Sequence, residues 1–194
     1  LRTGKAIFPL PGGDKLGSRP LDRLFDCLKT MNVKISENKD IVTMETSEIK
    51  STHFKFNKPS HTVTESVLMI ATLAKGETIL ENCAQEPEID DLILLLNKMG
   101  AKIQRHLDNP ATITIQGVSK LSGAKHEVIA DRNEAVTFAC AALATKGSIN
   151  ILRINPEIIK TFLDTITKMG AQVKKGNDEV SVTWVGPLKA CDIE

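Results

Sequence analysis

The sequence predicts an α+β chain built from repeated βαβαββ units, and three observations carry this prediction. First, the segment LNKMGAKI at residues 96–103 recurs as ITKMGAQV at residues 166–173, with a weaker copy, LKTMNVKI, at residues 28–35. Second, apolar residues at helical spacing lead into each copy. Third, short alternating strands follow each copy. A period of about 70 residues is too long for most solenoid repeats and suits a small α/β unit.

The middle unit shows the pattern most clearly. Thr62 and Glu65 have the spacing of a capping box that begins a helix, and Gly76 is the expected end of that helix. The helix is apolar on nearly every side, so we expect it to be buried. Pro87 suits the first turn of a second helix, which Gly100 closes. The predicted elements are a strand at 53–56, a helix to 74, a strand at 78–81, a helix to 99, and strands at 101–104 and 112–115.

The other two units follow the same plan. The third unit is expected to have helices at about 134–145 and 156–169 and a closing strand at 179–184. The first unit is incomplete, with a helix over about 21–31 and a strand at 41–45. Because the chain begins inside a repeat and starts at Leu1 rather than a methionine, we expect it to be part of a longer protein.

Composition excludes several classes of function. The 25 basic and 24 acidic residues nearly cancel, and no basic stripe with interleaved aromatics is present, so nucleic-acid binding is not favoured. Neither a membrane span nor a signal peptide is evident. The four cysteines form no C-x-x-C pair, which favours a reduced, cytoplasmic protein with Cys27 and Cys140 in the core. The four histidines lack metal-ligand spacing, and we predict neither a metal nor another cofactor.

A glycine-rich loop at residues 11–22, PGGDKLGSRPLD, is the first candidate for a functional segment. Its glycines allow the backbone to approach a ligand closely. Arg19, just ahead of a helix start, could bind an anion with two parallel hydrogen bonds, and Asp14 could give or take a proton. From these residues alone, a glycine-rich turn leading into an ordinary helix is equally admissible.

Four segments together resemble the UDP-N-acetylglucosamine enolpyruvyl transferase (UDP-N-acetylglucosamine 1-carboxyvinyltransferase) family. The glycine-rich loop is similar to the family's active-site loop, and PSHTVTE at 59–65 is similar to its nucleotide-diphosphate segment. ENCAQEPEI at 81–89 resembles a strand-to-helix signature of the family, and DRNE at 131–134 lies where the family crosses between its lobes. The resemblance covers almost the whole chain, with the motifs in the family's order.

The resemblance implies a fold of two lobes, each built from three βαβαββ units around buried helices, as an inside-out α/β barrel. Residues 1–129 would then be the later part of the loop-bearing lobe, which binds the UDP-sugar, and residues 130–194 the first unit of the second lobe. The family's active site lies in the cleft between lobes. Segments that the family places before and after this chain carry further active-site groups, so we expect the isolated chain to have little or no transferase activity.

The implied reaction transfers the enolpyruvyl group of phosphoenolpyruvate to the 3'-hydroxyl of UDP-N-acetylglucosamine and releases phosphate, the first committed step of peptidoglycan synthesis. By resemblance, Asp14 is the catalytic acid and Arg19 clamps phosphate or carboxylate as both a catalytic and a binding residue. Asp14 could instead stabilise its turn, and Arg19 could instead pair with Asp22. The other implied substrate-binding residues are Pro20, Leu21, Asp22, Ser60, His61, Thr62, Arg132 and Glu134.

Some of these roles have structural alternatives. Asp22 could simply favour the dipole of its helix. Ser60 and Thr62 could cap a helix, and Arg132 and Glu134 could form an ion pair between lobes. The shikimate-pathway enolpyruvyl transferase, which shares the unit but lacks this loop, and a non-catalytic binding module are the competing functions.

The chain departs from the family pattern at two places. Many members have cysteine where this chain has Asp14, and a carboxyl can still move a proton but is a poor nucleophile towards an epoxide. We therefore expect the parent protein to resist fosfomycin, which acts on that cysteine. At His61 and Thr62 the family more often has a valine–glycine pair, so contacts with the diphosphate could differ there.

Overall fold

The computed structural model describes residues 3–10 and 21–192, and the chain divides into two compact units, Leu1–Glu127 and Val128–Glu194. Unit 1 contains β1 (Lys5–Pro9), α1 (Asp22–Thr30), β2 (Lys34–Asn38), β3 (Ile41–Glu45), β4 (His53–Lys55), α2 (His61–Ala71), β5 (Glu77–Glu81), α3 (Pro87–Lys98), β6 (Lys102–Arg105) and β7 (Ile113–Gln116). Unit 2 contains α4 (Arg132–Ala144), β8 (Ser148–Leu152), a 3₁₀ turn (Pro156–Ile159), α5 (Lys160–Lys168), β9 (Gln172–Lys175) and β10 (Glu179–Thr183). The division at residue 129 and its assignment to two lobes remain a prediction.

The strand pairings repeat three times. The sheets have the orders β1-β3-β2, β5-β7-β6 and β8-β10-β9, and every pair within these triplets is antiparallel. In each triplet a helix separates the first strand from the following hairpin. Strand β4 adds to the second triplet by pairing in parallel with β5. The internal repetition expected from the sequence is therefore present in the backbone.

The helices α1, α3 and α5 end in the same way, which explains the recurring Met-Gly-Ala pattern. The second residue after each helix has a positive φ, which is 69° for Asn32, 101° for Gly100 and 107° for Gly170. Glycine and asparagine adopt this conformation at the lowest cost. The next N–H then donates to a carbonyl five residues back: Val33 to Leu28 (3.1 Å), Ala101 to Leu96 (3.0 Å) and Ala171 to Ile166 (3.0 Å).

Helices α2 and α4, which correspond in the repeat, are buried to different extents. Helix α2 lies in the core of unit 1, with Val67, Leu68 and Ala71 fully buried, as expected from its apolar sequence. Helix α4 buries only one face in unit 2, and Phe138 is 53% exposed. Cys27 is buried, but Cys140 lies on the exposed face of α4, so the expectation that Cys140 is a core residue is wrong.

Several predicted boundaries also differ from the structure. Ser60 rather than Thr62 precedes the first residue of α2, and the helix ends at Ala71, five residues before Gly76. Gly76 has a φ of 104°, and a Cβ there would lie 2.6 Å from the Ser51 hydroxyl oxygen, so close approach of Ser51 requires a glycine. Among the described residues of unit 2, no strand precedes α4 as β4 precedes α2.

Candidate functional site

The predicted site residues fall into three groups. Asp14, Arg19 and Pro20 lie outside the described residues. Leu21 precedes α1 directly, and Asp22 is the exposed first residue of that helix. The remaining predicted residues belong to the first turns of two other helices: Ser60, His61 and Thr62 at α2, and Arg132 and Glu134 at α4.

The starts of α1 and α2 lie next to each other in unit 1. The Arg23 guanidinium donates from Nη1 to the carbonyl oxygen of Pro59 at 3.3 Å, one residue before Ser60. The structure thus brings the Leu21–Asp22 segment to the start of α2. Arg23 was not among the predicted site residues, and no sequence pattern singles it out, because its partner lies 36 residues away.

The first turn of α2 presents open backbone donors. Ser60 has an extended conformation, with φ of −151° and ψ of 121°, and its side chain makes no capping hydrogen bond. No acidic residue lies in this first turn. The first N–H groups of a helix have no partners inside the helix, and the helix dipole makes this end positive. An anion such as a diphosphate fits these requirements.

His61 joins the start of α2 to the start of α3. Its Nδ1 lies 3.5 Å from the Glu65 Oε2, and its Nε2 lies 3.8 Å from the Glu88 Oε2. The imidazole thus contacts two carboxylates, which would repel an anion at the α2 end. Glu65 and Glu88 were not predicted as site residues, although both lie within the two motifs at 59–65 and 81–89.

The loop before α3 is held by contacts from other elements. The backbone N–H of Ala84 donates to the buried Thr64 Oγ1 at 3.1 Å, which ties the loop to α2. The Arg105 guanidinium donates from Nε to Asp90 Oδ1 at 2.6 Å and from Nη1 and Nη2 to the carbonyl of Ala84 at 3.3 Å. These bonds fix the position of Glu88 beside His61.

The start of α4 in unit 2 is capped by a side chain. Asp131 Oδ1 accepts hydrogen bonds from the backbone N–H groups of Asn133 at 2.8 Å and Glu134 at 3.2 Å. Arg132, half-buried, and Asn133 line a pocket of about 260 Å³ with Val136 and residues 157–162, while Glu134 is exposed. Within unit 2, therefore, charged side chains rather than backbone amides are presented at this helix end.

Two further properties bear on the kind of site. Within residues 3–10 and 21–192, no group of three or more His, Cys, Asp or Glu side chains is arranged to hold a metal ion. None of the helices in the same ranges has both the length and the apolar character of a membrane span.

Comparison with known sequences identifies a family and named relatives. The family profile described as EPSP synthase (3-phosphoshikimate 1-carboxyvinyltransferase) matches residues 1–194. The UDP-N-acetylglucosamine 1-carboxyvinyltransferase of Koribacter versatilis (strain Ellin345) is 40% identical over 191 residues, 98% of this chain and 44% of the relative. Enzymes of the same name from Prochlorococcus marinus (strain AS9601) and Endomicrobium trichonymphae are also 40% identical, over 100% of this chain and 42% and 46% of their own lengths. The chain thus spans less than half of each of these relatives, and the resemblance read from its motifs is confirmed.

Solved structures agree on the fold. The enolpyruvyl transferase NikO from Streptomyces tendae matches with a TM-score of 0.78 and 21% identity, over 94% of this chain and 44% of the other. An EPSP synthase from Acinetobacter baumannii matches with a TM-score of 0.68 and 18% identity, over 97% of this chain and 45% of the other. The expected enolpyruvyl transferase-like α+β fold is therefore confirmed.

Proposed function

Because the chain belongs to the EPSP synthase family of carboxyvinyltransferases, we propose that it forms part of a UDP-N-acetylglucosamine 1-carboxyvinyltransferase. The complete protein transfers the enolpyruvyl group of phosphoenolpyruvate to the 3'-hydroxyl of UDP-N-acetylglucosamine and releases phosphate. Relatives with this name that are 40% identical over nearly the whole chain support the proposal. The product commits the amino sugar to peptidoglycan synthesis.

The observation that carries the proposal is the open start of α2 beside the start of α1. The uncapped N–H groups of the first α2 turn bind the diphosphate of the nucleotide sugar, with the Ser60 and Thr62 hydroxyls as additional donors. Leu21 and Asp22, which Arg23 holds near Pro59, lie where the uridine is bound. Pro20 completes the uridine site. His61 moderates the negative charge of Glu65 and Glu88 beside the diphosphate.

The chemistry belongs to the loop at residues 11–20. The sugar hydroxyl attacks the enol carbon of phosphoenolpyruvate, and the methylene carbon takes up a proton. The resulting tetrahedral intermediate then loses phosphate and a proton from its methyl group, which restores the carbon–carbon double bond and gives the enol ether product. Asp14 serves as the acid, and Arg19 stabilises the phosphate or carboxylate of phosphoenolpyruvate. Arg132 and Glu134 remain proposed substrate-binding residues.

The shikimate-pathway reaction is the second candidate. Its support is the name of the family profile and the EPSP synthase structure, but 18% identity to that structure bears on the fold alone. The relatives at 40% identity favour the amino-sugar substrate. No contact within the described residues favours a non-catalytic binding module.

Two finer expectations accompany the proposed reaction. Asp14 in place of a cysteine makes the parent resistant to fosfomycin, because epoxide opening requires a thiolate. A cytoplasmic location agrees with four cysteines that are all free thiols.

The full-length parent tests the proposal by phosphate release from phosphoenolpyruvate with either acceptor. We expect turnover with UDP-N-acetylglucosamine and none with shikimate 3-phosphate, and little or none with either acceptor for the 194-residue chain. Turnover with shikimate 3-phosphate alone would replace the proposed substrate by the second candidate. Turnover with neither acceptor would reject the proposed function.

A further inference from the structure

A buried histidine interrupts an otherwise exposed segment at the end of unit 1. Residues 122–125 and Glu127 are exposed, whereas the His126 side chain is only 7% exposed. Its Nε2 lies 2.9 Å from Asp91 Oδ1 on α3, and the Asp91 side chain is 12% exposed. Its Nδ1 lies 3.2 Å from the Nζ of Lys98, the last residue of the same helix.

The two partners, Asp91 and Lys98, determine which ring nitrogen of His126 donates and which accepts. A lysine ammonium has only donors, so Lys98 donates and Nδ1 of His126 accepts. The proton of the neutral imidazole then lies on Nε2, which donates to the Asp91 carboxylate. This tautomer satisfies all three groups at once, and the Asp91 bond is charge-assisted.

The contact between His126 and Asp91 lies close to the point where the chain leaves unit 1. Before it, the segment is tied down by backbone bonds from Val118 N–H to the carbonyl of Thr72 and from Ser122 N–H to the carbonyl of Met99, both 2.8 Å. His126 makes the last side-chain bond before unit 1 ends at Glu127. Four residues after Glu127 the chain reaches Asp131, which caps α4.

We propose that His126 is a latch that anchors the end of unit 1 to α3 through Asp91 and thereby fixes where the chain leaves that unit. Removal of the imidazole leaves the buried Asp91 carboxylate without this donor, which is costly in a low-dielectric setting. The carboxylate then recruits water, and the segment from Ser122 to Glu127 detaches. This role concerns unit 1 alone and does not depend on the proposed reaction.

Hydrogen–deuterium exchange of the 194-residue chain tests the latch. In His126→Ala we expect the amide of Ser122, whose N–H donates to the Met99 carbonyl at 2.8 Å, to exchange at least about tenfold faster. Amides of β5 and β7 should keep their protection, because the opening is local. His126→Gln retains an amide donor for Asp91 and should keep most of the protection. His53→Ala is the matched control, because His53 pairs with Glu81 at 2.6 Å but is 64% exposed.

The outcomes separate the latch from a general core role. Unchanged exchange of the Ser122 amide in His126→Ala would overturn the proposal, and so would an equal rise across β5 and β7. Nitrogen chemical shifts of the His126 ring provide a second measurement. A neutral ring protonated on Nε2 supports the arrangement, and a ring protonated on Nδ1 contradicts it.

Discussion

Helices α2 and α4 begin at corresponding places in two repeats, yet their first turns differ. At α2, Ser60 makes no side-chain capping bond, and within residues 3–10 and 21–192 no side chain accepts from the first N–H groups. At α4, the Asp131 carboxylate accepts from the Asn133 and Glu134 N–H groups. A carboxylate at this position both occupies the donors and cancels the positive end of the helix dipole. The start of α2 is therefore suited to bind an anionic ligand, whereas the start of α4 is not.

The comparison shows how a repeated unit can be specialised at a single residue. The backbone of the repeats is similar enough that α1, α3 and α5 share their terminating bonds. The two repeats differ at the residue that precedes α2 or α4, and we propose that their functions diverge there. Stability and ligand binding compete for the same N–H groups, so an open helix start costs stability that a capped start retains.

The largest expected effect concerns Asp14, the residue proposed as the acid. In the full-length parent, Asp14→Asn removes the proton donor and should lower kcat by roughly 10²–10⁴-fold. Asp14→Cys should keep activity, because a thiol can also move a proton, and should introduce time-dependent inactivation by fosfomycin. Normal turnover by Asp14→Asn, or covalent labelling of the Asp14 enzyme by fosfomycin, would remove Asp14 from this role.

His61 tests whether charge at the α2 start matters. Replacement by valine removes the imidazole that lies 3.5 Å from Glu65 and 3.8 Å from Glu88. The two carboxylates then repel the diphosphate more strongly, and the KM for UDP-N-acetylglucosamine should rise about threefold to tenfold. His53→Val is the matched control, because its partner Glu81 belongs to strand β5 and not to the first turn of a helix. An equal effect of both substitutions would argue against a local electrostatic cause.

The caps themselves should differ in their contribution to stability. Asp131→Ala removes two hydrogen bonds at α4 and should destabilise unit 2 by roughly 0.5–2 kcal/mol. Ser60→Ala removes no capping bond and should change the free energy of unfolding of unit 1 by less than about 0.5 kcal/mol. Urea denaturation of both variants measures the difference, and equal losses would contradict the contrast between the two helix starts.

The smallest effect concerns the cysteines of the two units. Burial raises the pKa of Cys27 and of Cys83 from 9.0 to about 12. At pH 8 a thiol reagent should therefore modify the exposed Cys140 first and leave Cys27 and Cys83 unmodified until unit 1 unfolds. Rapid labelling of Cys27 in the native chain would contradict this expectation, because it would show that the reagent reaches the core of unit 1.

The same shift gives a direction for the pH dependence of stability. As pH rises above 9.0, the unfolded chain loses its thiol protons before the folded chain does. The stabilisation is thus complete below 9.0 and is lost as pH rises towards about 12. Replacement of both cysteines by alanine should flatten this part of the profile.

The ends of α3 and α5 were predictable from the sequence, whereas the start and the end of α2 were not. A positive φ at the end of α3 or α5 calls for glycine, so Gly100 and Gly170 mark those ends locally. At α2, Ser60, Thr62 and Thr64 are all admissible caps within five residues. The choice depends on a distant contact, since Thr64 Oγ1 accepts from the Ala84 N–H 20 residues away and is buried inside the helix.

The candidate site shows the same contrast between features that are local in the sequence and contacts that join distant residues. The motif at residues 59–65 identified the start of α2 because its residues are contiguous in sequence. Arg23 and Arg105 escaped prediction because their partners, Pro59 and Ala84, come from other elements. The exposure of Cys140 was also missed, since a small apolar residue in a helical pattern does not reveal which face packs in unit 2.

The most direct test of the account transfers the cap of α4 to α2. In the full-length parent, Ser60→Asp places a carboxylate on the N–H groups proposed to bind the diphosphate. For this variant we expect a higher melting temperature and, by calorimetry, a Kd for UDP-N-acetylglucosamine that is at least about tenfold higher. Ser60→Asn, a cap without charge, should fall between Ser60→Asp and the unaltered protein. An unchanged Kd in Ser60→Asp would contradict the proposal that the open start of α2 binds the nucleotide sugar.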